Sequence, residues 1–178
     1  MFLVFSSRVI SLQQPTTVYE ITTRPYLYLL SQKLGKTCTL KDIPSSEFDS
    51  WKEKGFEWIW FMGVWQLGEY GRQHDLTDPG CISGYNENCP GWTSDDVIGS
   101  PYAIVQYSVN TVVGTIDDIK WIREELHKRG MKLMLDFVPN HSAFEAPELK
   151  STPNFYIRAK PQTELDPNRF NADGIAYG

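Results

Sequence analysis

The chain has 178 residues, of which 41% are apolar and 22% charged, and it carries a net charge of -5. This is the composition of one soluble globular domain, or at most two small ones, and it excludes collagen-like and disordered classes. No Lys/Arg run exceeds two residues, so the acidic balance argues against nucleic acid as the main partner.

The opening MFLVFSSRVI has an apolar tetrad but no basic n-region, long apolar core or small-residue cleavage site. It therefore reads poorly as a secretory signal. No apolar run approaches the ~20 residues of a membrane span, so no membrane partner is expected. Thr16–Thr23 is the first predicted strand, and it ends at Arg24-Pro25 because Pro25 cannot continue a ladder. Tyr26–Leu34 reads as a helix closed by Gly35. Another helix opens at Ser45 or Ser46; Asp49 stands at capping-box distance from Ser46, and Gly55 suits the C′ position. Phe56–Trp65 (FEWIWFMGVW) is apolar on both faces, as a buried parallel strand must be.

The best-marked element begins at Ile116. Thr115 and Asp118 make a capping box, and Ile116, Ile119, Ile122 and Leu126 repeat on one face. Acids at its start, bases at its end and Gly130 beyond complete the helix signature. Met131–Leu135 (MKLML) is a third strand, followed by Asp136-Phe137-Val138-Pro139-Asn140.

Strands alternating with helices specify a parallel sheet, which both a doubly wound fold and a (β/α)₈ barrel satisfy. A full barrel needs roughly 250 residues; this chain has 178 and reaches only its third strand by residue 135. The connections 68–113 and 139–178 far exceed the usual ~2–6 residues. In parallel folds such loops lie at the carboxyl ends of strands, where ligands bind. The first carries Tyr70, Tyr85, Trp92, Tyr102 and Tyr107, a set suited to stacking on sugars. Each ring except Tyr102 suits packing of the loop onto its own strand at least as well.

Cys38, Cys81 and Cys89 show no C-x-x-C pair, which argues against structural zinc. Cys81 and Cys89 could close a short loop in an oxidising compartment, though three ordinary thiols is the simpler reading. The acidic, cysteine-poor chain leans cytoplasmic. Asp136 follows MKLML directly and His141 stands five residues later, so both converge on the mouth of the sheet. Either could also be a simple turn acceptor or loop residue. A metal held by Asp136, His141 and His74 lacks any spacing signature. No G-x-S-x-G, H-E-x-x-H or P-loop occurs.

GSPYAIVQY (99–107), GTIDDI (114–119) and HKRGMKLMLDFVPNH (127–141) resemble the α-amylase superfamily, glycoside hydrolase family 13. GFEWIWFMGVWQLG resembles that family's second barrel strand, TVYEITTRPYL its first, and GIAYG a segment of its inserted B domain. The resemblance implies an α/β fold: a partial (β/α)₈ TIM barrel of three strands and two helices, plus the start of a B domain. The expected division is an extension over 1–15, the partial barrel over 16–141 and the B-domain start over 142–178.

The resemblance also implies roles. His141 matches the histidine that hydrogen-bonds the sugar, and Tyr102 the tyrosine that stacks beneath it. Asp136 matches the aspartate that maintains the site's geometry. Asn140 matches an asparagine that helps bind calcium in some members. Gln106 departs from the aspartate that many members carry four residues after the tyrosine. The family's retaining chemistry uses two carboxyls roughly 5–5.5 Å apart, placed on the fourth and fifth strands, so no catalytic carboxylate is nominated in this chain. The expectation is an α-glucan or oligosaccharide partner, no obligatory cofactor, inactivity alone and self-association of an open sheet. The alternative is a non-catalytic carbohydrate-binding or regulatory module.

Overall fold

The computed structural model describes residues 16–160. The expected extension over 1–15 and the GIAYG segment fall outside the described residues.

Strand β1 (Val18–Thr22) leads into helix α1 (Thr23–Leu34) with no intervening loop. The expectation that the chain turns at Pro25 and starts its helix at Tyr26 is corrected. Pro25 sits in the helix's first turn, where its missing N–H costs no hydrogen bond. Gly35 ends α1 in the left-handed region, φ 66°. Helix α2 (Ser45–Glu53) begins after Pro44 with no side-chain cap, so the Ser46–Asp49 box does not form. Asp49 instead accepts a 2.6 Å bond from Arg129 Nε. The capping box between Thr115 and Asp118 does form, at the head of α5 (Ile116–Lys128).

The predicted strand over 56–65 is two strands, β2 (Trp58–Met62) and β3 (Trp65–Leu67). They are broken at Gly63, whose φ of 71° a side chain would disfavour. β5 (Lys132–Leu135) completes a parallel three-stranded sheet in the order β1-β2-β5. The register pairs Glu20 with Trp60 and Trp60 with Met134, which defines the two faces.

One face is covered. Ile21, Ile59 and Phe61 are buried against Leu27 and Leu30 of α1, Phe48 and Trp51 of α2, and Ile119, Ile122 and Leu126 of α5. Trp51 stands edge-on to Phe48 and Phe61, and Phe48 edge-on to Trp121, so rings knit the helix layer to the sheet. The other face carries the half-buried Trp58, Trp60, Met62 and Met134 and the exposed Glu20. A parallel three-stranded sheet covered by helices on one face accords with the expected partial (β/α)₈ barrel.

The connection 68–113 holds structure that periodicity did not disclose: α3 (Glu69–Thr77), α4 (Pro79–Asn88) and β4 (Ile104–Val109). β4 pairs antiparallel with β3. A short helix α6 (Glu148–Ser151) follows the last strand. Among the described residues no helix is long and apolar enough to cross a membrane.

Candidate sugar site at the strand ends

Asp136 directly follows β5 and is 6% exposed. Two residues beyond Met134, it continues the open face of the sheet, and its carboxylate is fully engaged there. Trp60 Nε1 donates to one oxygen at 2.8 Å and the Gly63 backbone N–H to the other at 2.5 Å. Trp65 Nε1 donates to the Asp136 carbonyl at 2.9 Å. A carboxylate held by two donors is a brace rather than a free base. It locks the ends of β2 and β5 and fixes the break at Gly63.

Tyr102 meets the same place from the far side of the chain. Its hydroxyl lies 3.6 Å from Met62 Sδ, at the end of β2. Partial burial first, then the charges of Asp136 and Glu20, push that hydroxyl above its ordinary range. Tyr102 therefore stays protonated and can donate.

His141 and Asn140 lie a few residues further on, in a cleft of about 790 Å³ lined also by Tyr107, Glu148, Phe155 and Tyr156. Tyr107 builds this wall: its hydroxyl donates to Val138 O at 3.3 Å and accepts from Val138 N–H at 2.9 Å. Ala143 N–H adds a 2.9 Å bond to Ile104 O. The segment carrying His141 is thus pinned to β4. Asn140 Nδ2 stands 3.4 Å from His141 Nδ1.

The four sequence-predicted residues therefore form two neighbourhoods: Asp136 with Tyr102 on the sheet, and His141 with Asn140 in the cleft. His74 belongs to neither; it sits on α3 beside Asp75 and Cys81. The loop rings mostly pack on protein. Tyr70 stacks on Phe144 at 4.5 Å, Tyr85 stands edge-on to Trp92, and Tyr107 edge-on to Trp65. All three thiols are free; Cys81 and Cys89 lie at opposite ends of α4, eight residues apart, about 12 Å along a helix, too far for a disulfide.

Sequence reasoning missed Trp60, Gly63 and Trp65 as the partners of Asp136. The available signal was Gly63, a glycine inside an apolar strand pattern, which marks a bulge or close backbone approach. Glu145 was also missed. Its carboxylate accepts the Tyr70 N–H at the head of α3, from 75 residues away.

Comparison with known proteins places this geometry. Residues 89–173 match the family model for the α-amylase catalytic domain. The match spans Tyr102, Asp136, Asn140 and His141 and the best-marked helix. Over these residues the chain is similar to the α-amylase catalytic domain. It is 36% identical over 96 residues to an oligo-1,6-glucosidase of Bacillus sp. strain F5, covering 47% of this chain and 18% of that protein. It is 55% identical over 38 residues to α-amylase 2 of Schwanniomyces occidentalis, covering 21% of this chain and 8% of that one. The crystal structure of an α-amylase from Lactobacillus plantarum superposes with a TM-score of 0.60 at 21% identity, over 91% of this chain and 31% of that chain. The chain thus spans less than a third of these amylase-superfamily proteins.

Calcium takes about six to eight oxygen ligands. Asn140 and Glu148 face the same cleft, with Ser142 nearby. One amide, one carboxylate and one hydroxyl fall short of that shell, so the described residues do not make a calcium site by themselves.

Proposed function

We propose that this chain is the sugar-holding part of a retaining, α-glucan-active glycoside hydrolase domain, and that alone it binds sugar without hydrolysing it. The observation that supports this is the state of its carboxylates. Double displacement needs two free carboxyls roughly 5–5.5 Å apart across the scissile bond. Asp136 is occupied by the Trp60 and Gly63 donors, and Glu148 is the one carboxylate lining the cleft among the described residues.

In this reading Tyr102 supplies a ring and a protonated hydroxyl for a sugar, and His141 donates to a sugar hydroxyl. Asp136 keeps both in place by bracing the strand ends. Asn140 joins calcium only where further oxygens come from elsewhere, and no chemical step here runs through the ion. The same carboxylate shortage favours a second reading, a carbohydrate-binding or regulatory module. The partition into a barrel piece over 16–141 and a B-domain start from 142 also belongs to this proposal. The Ala143–Ile104 bond, which ties that start back to β4, accords with it.

Self-association follows from the same fold. Among the described residues β1 and β5 each leave one backbone edge unpaired in the parallel sheet, and Phe137 beside them is 76% exposed. The experiment is a maltooligosaccharide titration followed by Trp fluorescence, with reducing-sugar release measured on the same samples. The reading expects a saturable signal from Trp60 and Trp65 with no release. Hydrolysis abolished by changing one Asp or Glu within the chain would overturn it, and so would no signal at millimolar sugar.

A further inference from the structure

The corner between α3 and α4 gathers a second set of chemically active side chains, unrelated to the sugar site. His74 Nδ1 lies 3.3 Å from Asp75 Oδ1, and Cys81 Sγ lies 3.9 Å from the same oxygen. The three donor atoms all fall within 4.8 Å of one another. We propose that His74, Asp75 and Cys81 form a binding site for a zinc-class divalent transition-metal ion.

Several features support this. The donors are mixed: one imidazole, one carboxylate and one thiol. That set favours zinc or cobalt(II) over the hard cations calcium and magnesium, which want oxygen alone. Zinc holds such ligands at about 2.0–2.3 Å, which spaces them about 3.5 Å apart. The present separations close to that with a movement of about 1 Å, available because His74 is exposed.

The corner is also prearranged. Asp78 is at once the C-cap of α3 and the N-cap of α4, and its carboxylate accepts the Cys81 N–H at 2.9 Å. Cys81 is thereby fixed in the first turn of α4, facing the last turn of α3.

The field favours a cation. Asp75 and Asp78 both act on the corner, while Arg72, on the same helix, is committed to Glu69, Ser94 O and Val97 O. Metal binding would form a sulfur–metal bond at Cys81 and release the thiol proton to solvent. A bound ion would clamp α3 to α4. Arg72 would carry the effect to residues 94–97, on the approach to Tyr102.

The test is titration of the full 178-residue chain with cobalt(II), with zinc as competitor, following the thiolate-to-cobalt charge-transfer band. The expected result is one cobalt per chain, a thiolate band, displacement by zinc and a raised melting temperature. Cys81→Ser should abolish the band, and His74→Ala should weaken binding by at least about tenfold. Cys89→Ser and Cys38→Ser should leave both unchanged. The proposal is overturned by no thiolate band, by a band that survives Cys81→Ser, or by equal loss in Cys81→Ser and Cys89→Ser. The last result would mean adventitious thiol binding by a disordered chain.

Discussion

The parallel sheet with its three covering helices and the α3–α4 pair are both helix-bearing parts of one chain, yet they are stabilised in opposite ways. The sheet layer buries Phe48, Phe61, Ile59, Ile122 and Leu126 completely or nearly so. Neither α3 nor α4 contains a buried residue. Their fold rests on polar staples instead: the shared Asp78 cap, the Glu145 carboxylate at the head of α3, and Arg72 reaching to Val97 and Ser94. Burial makes one region a platform, and polar stapling makes the other an appendage whose geometry can be adjusted. The strand ends that carry Asp136 belong to the platform.

The sharpest way to break this contrast is to remove one ring from each region. Phe48→Ala should cost about 3–5 kcal/mol, since the ring is fully buried against Trp51 and Trp121. Tyr85→Ala, which loses one edge contact with Trp92, should cost less than about 1 kcal/mol. Urea unfolding of both variants checks the pair, and similar losses would erase the distinction. Asp136→Asn is next in size. An amide cannot accept from both Gly63 N–H and Trp60 Nε1, so one donor is left facing an NH₂ group. The expected cost is about 1–3 kcal/mol, with a shift in Trp emission as the indole loses its partner.

Thr115→Ala removes the side-chain half of the α5 cap and should cost about 1 kcal/mol in the same assay. The smallest effect is a pH dependence. The Lys36 ammonium, helped by the Thr39 N–H, lowers Asp42 from 3.8 to about 2. The folded state binds that proton less readily than the unfolded chain does, so this contribution is present above pH 4 and is lost as pH falls towards 2. Asp42→Asn should flatten that part of the stability profile while leaving its neutral-pH arm parallel to wild type.

What could be read in advance divides along the same line. α5 announced itself because its cap, apolar face and Gly130 stop all agree. The structure keeps the cap, the stop and the face at Ile119, Ile122 and Leu126, while Ile116 in the first turn is exposed. The three parallel strands were legible from β-forming residues in β1 and from apolar runs in β2 and β5, though the run at 56–65 concealed the break at Gly63. α3 and α4 were not, because EYGRQHDLT and PGCISGYNEN carry no apolar stripe. Their one local clue was Asp78-Pro79, a cap followed by a helix-starting proline. Asp136 was legible as a strand-end residue. Its partners were not, because Trp60 and Gly63 lie 76 and 73 residues away and meet it only once the parallel register is set. The Ser46–Asp49 box failed because the helix starts one residue earlier, with Pro44 at its N-cap, and Asp49 pairs instead with the distant Arg129.

The most direct test of the central claim, that the sheet-anchored strand ends rather than the appended rings hold sugar, is a calorimetric titration with maltoheptaose. It would compare the wild-type chain with Tyr102→Ala, His141→Ala, Tyr70→Ala and Tyr85→Ala, each checked for an unchanged melt. The account predicts saturable heat for wild type, for Tyr70→Ala and for Tyr85→Ala. It predicts loss of about tenfold or more in affinity for Tyr102→Ala and His141→Ala, the scale of a lost sugar hydrogen bond or stacking ring. Undiminished binding in the latter two, or loss confined to Tyr70→Ala and Tyr85→Ala, would contradict it.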